Sequence, residues 1–221
     1  MTGARRRAGG WIPVWSAALA VLISGCGSAR TDDPAAVVPA RSLLYFELSV
    51  HPRGETRDGR AQLRSLVDAV RGPVSSHADW HETAELVASQ LRAHLPTAAV
   101  LTPEQRLGDP DRYLSHILHV EPDGSFSIVA LVWRPGQITP IHDHVTWCVF
   151  GVVQGIEHEE LFDADLNPIG ESDNHAGDVS GFAPPGDIHR VHNTGDETAI
   201  SIHIYGTDVT RIGSSARRYY D

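Results

Sequence analysis

The second half of the chain places the tightest limit on its fold. After Asp109-Pro110 the sequence becomes a series of short β-rich runs: Ile117–Val120, Phe126–Trp133, Thr146–Val153, Glu159–Phe162, Asp178–Ala183, Ile188–Asn193 and Ala199–Tyr205. Pro122-Asp123-Gly124, Pro135-Gly136, Asn167-Pro168, Pro184-Pro185-Gly186 and Thr194-Gly195-Asp196 separate them. These are residues that reverse a chain, because Pro presets φ, Gly tolerates positive φ, and Asn or Asp closes local hydrogen bonds. Short strands at this spacing, with no helix between them, predict a sandwich or barrel such as a jelly roll.

Ahead of the barrel the period changes. Leu63, Leu66, Val67 and Val70 recur at helical spacing in residues 60–71, ended by Gly72-Pro73. Leu86, Val87, Gln90 and Leu91 repeat the pattern in residues 78–95, ended by Pro96. A third, shorter helix is expected after Thr102-Pro103-Glu104, where Thr suits the N-cap and Pro the first turn. The fold class is therefore mainly β, with a small N-terminal helical layer (60–108) on a barrel (112–206), all within a single domain spanning 41–221.

The N-terminus has a different character. Arg5, Arg6 and Arg7 precede an apolar run from Trp11 to Ile23, interrupted only by Pro13 and Ser16, and then Ser24-Gly25-Cys26. A basic start, a short apolar stretch and small residues at a processing point describe an export signal over residues 1–26. The run falls short of the about 20 apolar residues a membrane span needs. Leu22-Ile23-Ser24-Gly25-Cys26 resembles the lipobox of bacterial lipoproteins, which implies lipidation of Cys26 and an exported protein anchored at the cell membrane by that lipid alone. A misplaced start codon would leave the protein cytoplasmic. Residues 27–40, rich in small, polar and Pro residues, read as a tether. With Cys26 lipidated or removed, Cys148 has no partner, and no disulfide is expected. The formal net charge of −10 argues against a nucleic-acid or anionic-membrane surface, because both demand clustered Lys and Arg.

Two stretches carry chemistry. The first runs from Gly136 through His142-Asp143-His144 to Cys148 and Gly155; the second runs from Gly177 through Pro184-Pro185-Gly186-Asp187-Ile188-His189 to Asn193. On a strand, residues two apart face the same way, so His142 and His144 can turn both imidazoles onto one ion. The Pro-Gly turn aims the next strand and presents His189 from across the barrel. Any one of the 13 histidines taken alone could equally be a core or surface residue. Imidazole suits Fe, Cu, Ni and Zn, so the ligand type alone does not choose the metal. On Ala199–Tyr205, Ile200, Ile202 and Ile204 face one way, and Ser201, His203 and Tyr205 face the other. That polar stripe fits a relay beside a ligand, and equally a satisfied polar network or a solvent face.

The two stretches in order resemble the paired motifs of the cupin superfamily, with Cys148 where those motifs carry a ligating Glu. With the Ser201-His203-Tyr205 stripe, the likeness over roughly Tyr113–Gly206 narrows to the thiol dioxygenases of the cysteine dioxygenase family, including bacterial 3-mercaptopropionate-oxidising members. The resemblance implies one Fe(II) on His142, His144 and His189, with a small thiol and O2 as substrates and a sulfinate as product. It further implies that Ser201, His203 and Tyr205 orient substrate and metal-bound ligands, and that Cys148 can form a thioether with Tyr205. A monomer is expected. The family keeps an Arg or Gln two residues after a Tyr to hold the substrate carboxylate; here Tyr113 is followed at that distance by Ser115, which cannot form the bidentate ion pair. His116 would face away on a strand; Arg112 and Arg134 are the other candidates, and Trp133 is a candidate wall of the pocket or a core residue. A non-catalytic metal- or ligand-binding cupin lipoprotein, or a different metal-dependent cupin oxygenase, is the alternative reading.

Overall fold

The computed structural model describes residues 46–47 and 56–220. The expected signal, the tether and Cys26 lie outside the described residues. Two sheets face each other. One has the order β1 (Phe46–Glu47), β2 (Leu114–Val120), β3 (Ser127–Trp133), β10 (Ala199–Tyr205), β5 (Cys148–Gln154) and β8 (Val179–Phe182). The other has the order β11 (Ala216–Tyr219), β4 (His142–His144), β9 (His189–His192), β6 (Ile156–Phe162) and β7 (Pro168–His175). Apart from the parallel β1–β2 pair, the strands run antiparallel to their neighbours. This is a double-sheet jelly roll with a helical layer at its N-terminal side.

Helix α1 (Arg57–Val74) starts where the Thr56 hydroxyl accepts from Gly59 N–H at 2.9 Å, and α2 (Trp80–His94) where the Asp79 carboxylate accepts from Glu82 N–H at 2.9 Å. Although Gly72-Pro73 was expected to stop it, α1 continues to Val74. Pro73 lies in the last turn, where its missing N–H forfeits a single bond, and Ser75 closes the end on the Arg71 carbonyl at 3.0 Å. In α2 the buried stripe is Thr83, Ala84, Val87, Ala88 and Leu91, while Leu86 is left exposed. The third helix shrinks to one 3-10 turn, Gln105–Leu107. Its N-cap position is Glu104 rather than Thr102, although the Thr102 hydroxyl accepts from Gln105 N–H at 3.2 Å, and Gly108 at φ 66° ends the turn at once.

Four strands fall outside the β-runs read from the sequence. β1 is two residues long and β4 three, β7 is exposed except at Asn174, and β11 lies beyond the expected barrel end at 206. Pro168, placed in a turn by its Asn-Pro pair, opens β7, an edge strand where a missing N–H is tolerated.

The strands β3 and β10 are buried on both faces. Ile200, Ile202 and Ile204 join Ile128, Ala130, Val132 and Val149 in a core completed by Leu66, Val70, Val87 and Leu91 from the helices. The alternate residues turn into the barrel, where Val129, Leu131, Trp133, Cys148, Val191 and Tyr205 cluster. The helical layer thus seals one face of the sheet whose other face carries the polar stripe.

The turn after β10 depends on Gly206, whose added Cβ would lie 2.2 Å from Trp147 Nε1 and 2.7 Å from Thr146 Oγ1. Trp147 is buried and cannot swing away freely. Gly206→Ala is expected to destabilise the fold by about 1–3 kcal/mol, an overpacking cost seen as a lower thermal midpoint. An unchanged midpoint would show that the contact relaxes without cost.

Candidate metal centre

Strands β4 and β9 pair antiparallel with His142 opposite His189. His144, two residues along β4, faces the same way, and one ring nitrogen of each of the three histidines lies within 4.8 Å of the other two. Each imidazole is held by its other nitrogen. His142 Nδ1 lies 2.9 Å from the Pro140 carbonyl, His144 Nδ1 3.3 Å from Asp187 Oδ2, and His189 Nδ1 2.6 Å from Glu159 Oε1. These acceptors favour a proton on Nδ1, which leaves Nε2 of all three rings as lone-pair donors toward one point. Burial, reinforced by the neighbouring His189 and His144, pushes the pKa of His142 well down; burial outweighs Asp187 and takes His144 to about 4. Imidazoles held in fixed orientations fit a divalent transition metal.

The segment between the ligands is anchored too. Asp143 is buried, and its Oδ2 accepts from Arg217, from Arg218 Nη2 at 2.6 Å and from Tyr220 OH at 2.9 Å. Burial raises its pKa, but these hydrogen bonds prevail and hold it at about 2. The C-terminal strand β11, which pairs Tyr219 with His142, therefore clamps the ligand strand by backbone and by charge.

The cavity over the histidines is lined by Tyr113, Ser115, Trp133, Phe182, His203, Tyr205 and Tyr219, with Val129, Leu131 and Val191 among its apolar walls. Trp133 serves both as wall and as core, stacked on Tyr113 at 4.4 Å between ring centroids. Ser115 faces in, and His116 is buried outside the lining. Arg112 and Arg134 do not line the cavity, and among the described residues that do, none is Lys, Arg, Asp or Glu. Ser201 Oγ lies 2.9 Å from His203 Nε2, and Tyr205 OH 3.3 Å from His203 Nδ1, so the polar stripe forms one connected series. Burial takes His203 down to about 3, and burial raises Tyr205 so that its hydroxyl stays protonated. Cys148 is opposite Tyr205 in the β5–β10 register, with its Sγ 3.9 Å from His203 Nδ1, and is not part of the three-histidine cluster.

Sequence reasoning missed Glu159, Asp187 as a histidine partner, and the whole C-terminal clamp. For Glu159 a signal existed: Glu157, Glu159 and Leu161 share one face of a β-run, and acidic residues beside an apolar one on a single face suggest buried partners. The clamp had no local signal, because Arg217 and Arg218 are about 74 residues from the aspartate they hold.

Two outcomes follow from this geometry. Glu159→Gln weakens the hold on His189 and is expected to lower metal affinity about tenfold, read by competition with a chelator. The native pKa of Asp143, about 2, lies below the ~3.9 of an unfolded Asp, so the stability this adds is present above ~3.9 and is lost as pH falls through about 2. Replacing both arginines (Arg217→Met with Arg218→Met) leaves the carboxylate under-partnered, costs about 1–3 kcal/mol at neutral pH and moves acid unfolding to higher pH. An unmoved acid midpoint would remove the clamp from the account.

Comparison with known proteins agrees with the site. The family model described as cysteine dioxygenase type I matches residues 105–218. Cysteine dioxygenase type 1 of Danio rerio is 30% identical over 106 residues, covering 44% of this chain and 52% of that protein, so the chain spans about half the length of this relative. Similar solved structures include an oxalate oxidase in complex with glycolate (TM-score 0.38, 15% identity, 45% of this chain and 53% of that one). A double-stranded β-helix protein of Klebsiella pneumoniae is another (TM-score 0.40, 18% identity, 48% and 85%). Likeness at that level carries no argument about chemistry. The family match spans β2 to β10, the first three residues of β11, all three histidines, and Asp143 with its two arginines, and the chain belongs to the cysteine dioxygenase type I family.

Proposed function

We propose that this protein is an iron-dependent thiol dioxygenase that adds both atoms of O2 to the sulfur of a small thiol. The observation that carries the reading is the joining of two features in one cavity: three imidazoles converging on one point, and a hydroxyl–imidazole–hydroxyl series that ends beside them. In the overall reaction a thiolate and O2 give a sulfinate, the four-electron oxidation of sulfur matching the four-electron reduction of O2. Fe(II), when bound, supplies the redox chemistry that joins the two substrates and lowers the pKa of the thiol.

The chain's own residues do the rest. His142, His144 and His189 contribute no negative charge, which leaves the ion able to attract an anionic thiolate. Tyr205 holds a proton at its hydroxyl oxygen, and His203, kept neutral, fixes that oxygen in place. Val129, Leu131, Val191 and Phe182 exclude water from the reacting sulfur. Tyr113 and Ser115 meet the tail of the thiol; cysteine and 3-mercaptopropionate are the first substrates to test. The Cys148–Tyr205 register supports a thioether between Sγ and the phenol ring, formed by removing one hydrogen from each with O2 as oxidant. An export signal ending at Cys26 would place the enzyme at the cell membrane, acting on thiols met outside the cytoplasm.

The test is metal analysis with O2 uptake across a thiol panel. The iron-loaded protein is expected to take up O2 only with thiol, and His189→Ala to lose both iron and uptake. Thiol-dependent uptake surviving in His189→Ala would refute the site, while bound zinc or copper without uptake would favour a non-catalytic cupin. Intact-mass analysis after turnover is expected to show a fraction lighter by two hydrogens, which Cys148→Ser abolishes. A single unshifted mass would eliminate the thioether.

A further inference from the structure

Glu157 on β6 is fully buried, yet neither carboxyl oxygen completes a hydrogen bond of normal geometry. Its position is inside the barrel, where packing alone would select an apolar residue. The polar groups that act on the carboxyl are Ser201 of β10 and Trp133 of β3, so Glu157 reaches from the five-stranded sheet to the six-stranded one. Trp133 Nε1 also lies 3.5 Å from Ser201 Oγ. Ser201 is the inner member of the series that runs through His203 to Tyr205.

We propose that Glu157 is the terminal member of this series and sets the direction in which its hydrogen bonds run, and with it whether the Tyr205 hydroxyl donates into the cavity. Two arrangements give the series a consistent run of donors and acceptors. When Glu157 is a neutral acid, its O–H donates to Ser201 Oγ, Ser201 donates to His203 Nε2, and His203 Nδ1–H donates to the Tyr205 oxygen. The phenolic proton is then directed into the cavity. When Glu157 is ionised, it accepts from Ser201, which accepts from His203 Nε2–H; Nδ1 then accepts the Tyr205 proton and withdraws it from the cavity. No bond to carbon or sulfur changes, and one proton leaves Glu157 for solvent.

The surroundings favour a carboxyl able to adopt both forms. Burial raises its pKa, with Glu159 adding to the effect and Ser201 and Trp133 opposing it, to about 7. Glu159 is the titratable neighbour on its own strand, Tyr205 faces it from β10 and Cys148 from β5, and no cation is among these groups. Glu157 is a positioning residue, acting on the cavity only through Ser201 and His203.

The consequence for rate rests on the cavity being the reaction chamber proposed above; the hydrogen-bond series itself does not. Infrared difference spectra of the iron-loaded protein, titrated through about 7, are expected to show loss of a protonated-carboxyl carbonyl band that is missing in both Glu157→Gln and Glu157→Leu. The pH profile of thiol-dependent O2 uptake is expected to fall above that point by up to about tenfold per pH unit. In Glu157→Gln, whose amide does not ionise and keeps a donor for Ser201 at every pH, that fall is expected to vanish at unchanged iron content. A band that persists in both variants, or an alkaline fall identical in wild type and Glu157→Gln, overturns the proposal. Should no thiol support uptake, the thiol dioxygenase reading fails, and the infrared titration still decides the role of Glu157.

Discussion

The site depends on the pairing of β4 with β9, which sets His142 directly across from His189. A strand alternates its side chains, so this one register brings His144 onto the same face and aligns three rings at once. A slip of one residue would turn the rings of β4 to the other face. Two features secure the register. β11 pairs with the outer side of β4 and drives Arg217, Arg218 and Tyr220 onto Asp143, while Asp187, just before β9, accepts from the backbone N–H of His144 at 2.7 Å. The ligand strand is only three residues long and could not hold its position by its own ladder.

Buried charge follows one rule throughout the barrel. Asp143, Asp187 and Glu159 are each almost fully buried, and each is matched to donors that also orient the metal ligands. Satisfying the carboxylate and positioning the imidazole are one interaction in the two latter cases, so neither can be relaxed without the other. Glu157 departs from the rule furthest, since neither of its oxygens has a hydrogen bond of normal geometry, whereas Asp143 leaves only Oδ1 without one. A buried carboxyl with both oxygens in that state calls for an explanation beyond packing.

Much of this was legible in one dimension. The turn residues and short β-runs announced a barrel, and the amphipathic stripes of α1 and α2 announced the layer that covers it. The His142-His144 spacing and the Pro-Gly turn before His189 located the three histidines that cluster, and the alternation in β10 separated Ile200, Ile202 and Ile204 from Ser201, His203 and Tyr205. Errors came where local rules met long-range ones. Gly72-Pro73 did not stop α1, because a Pro in the last turn forfeits little. Pro168 opened an edge strand instead of a turn, because an edge tolerates its missing N–H. β11 carried no pattern at all, since its two arginines have half-exposed side chains and meet their partner only in the fold.

The sequence by itself determined the class of the fold, the candidate histidine triplet and the polar stripe, because each is written as spacing between neighbours on a strand or around a turn. Only the tertiary structure decided how those parts are held. Glu159 reaches His189 over 30 positions, Asp187 reaches His144 over 43, and Arg218 reaches Asp143 over 75. Only in the folded barrel is Glu157 seen beside Ser201, on a strand of the opposite sheet. A strand's period specifies which side of the sheet a residue faces. What it faces there is specified by the register between strands far apart in the chain, and that register exists only once the barrel has closed.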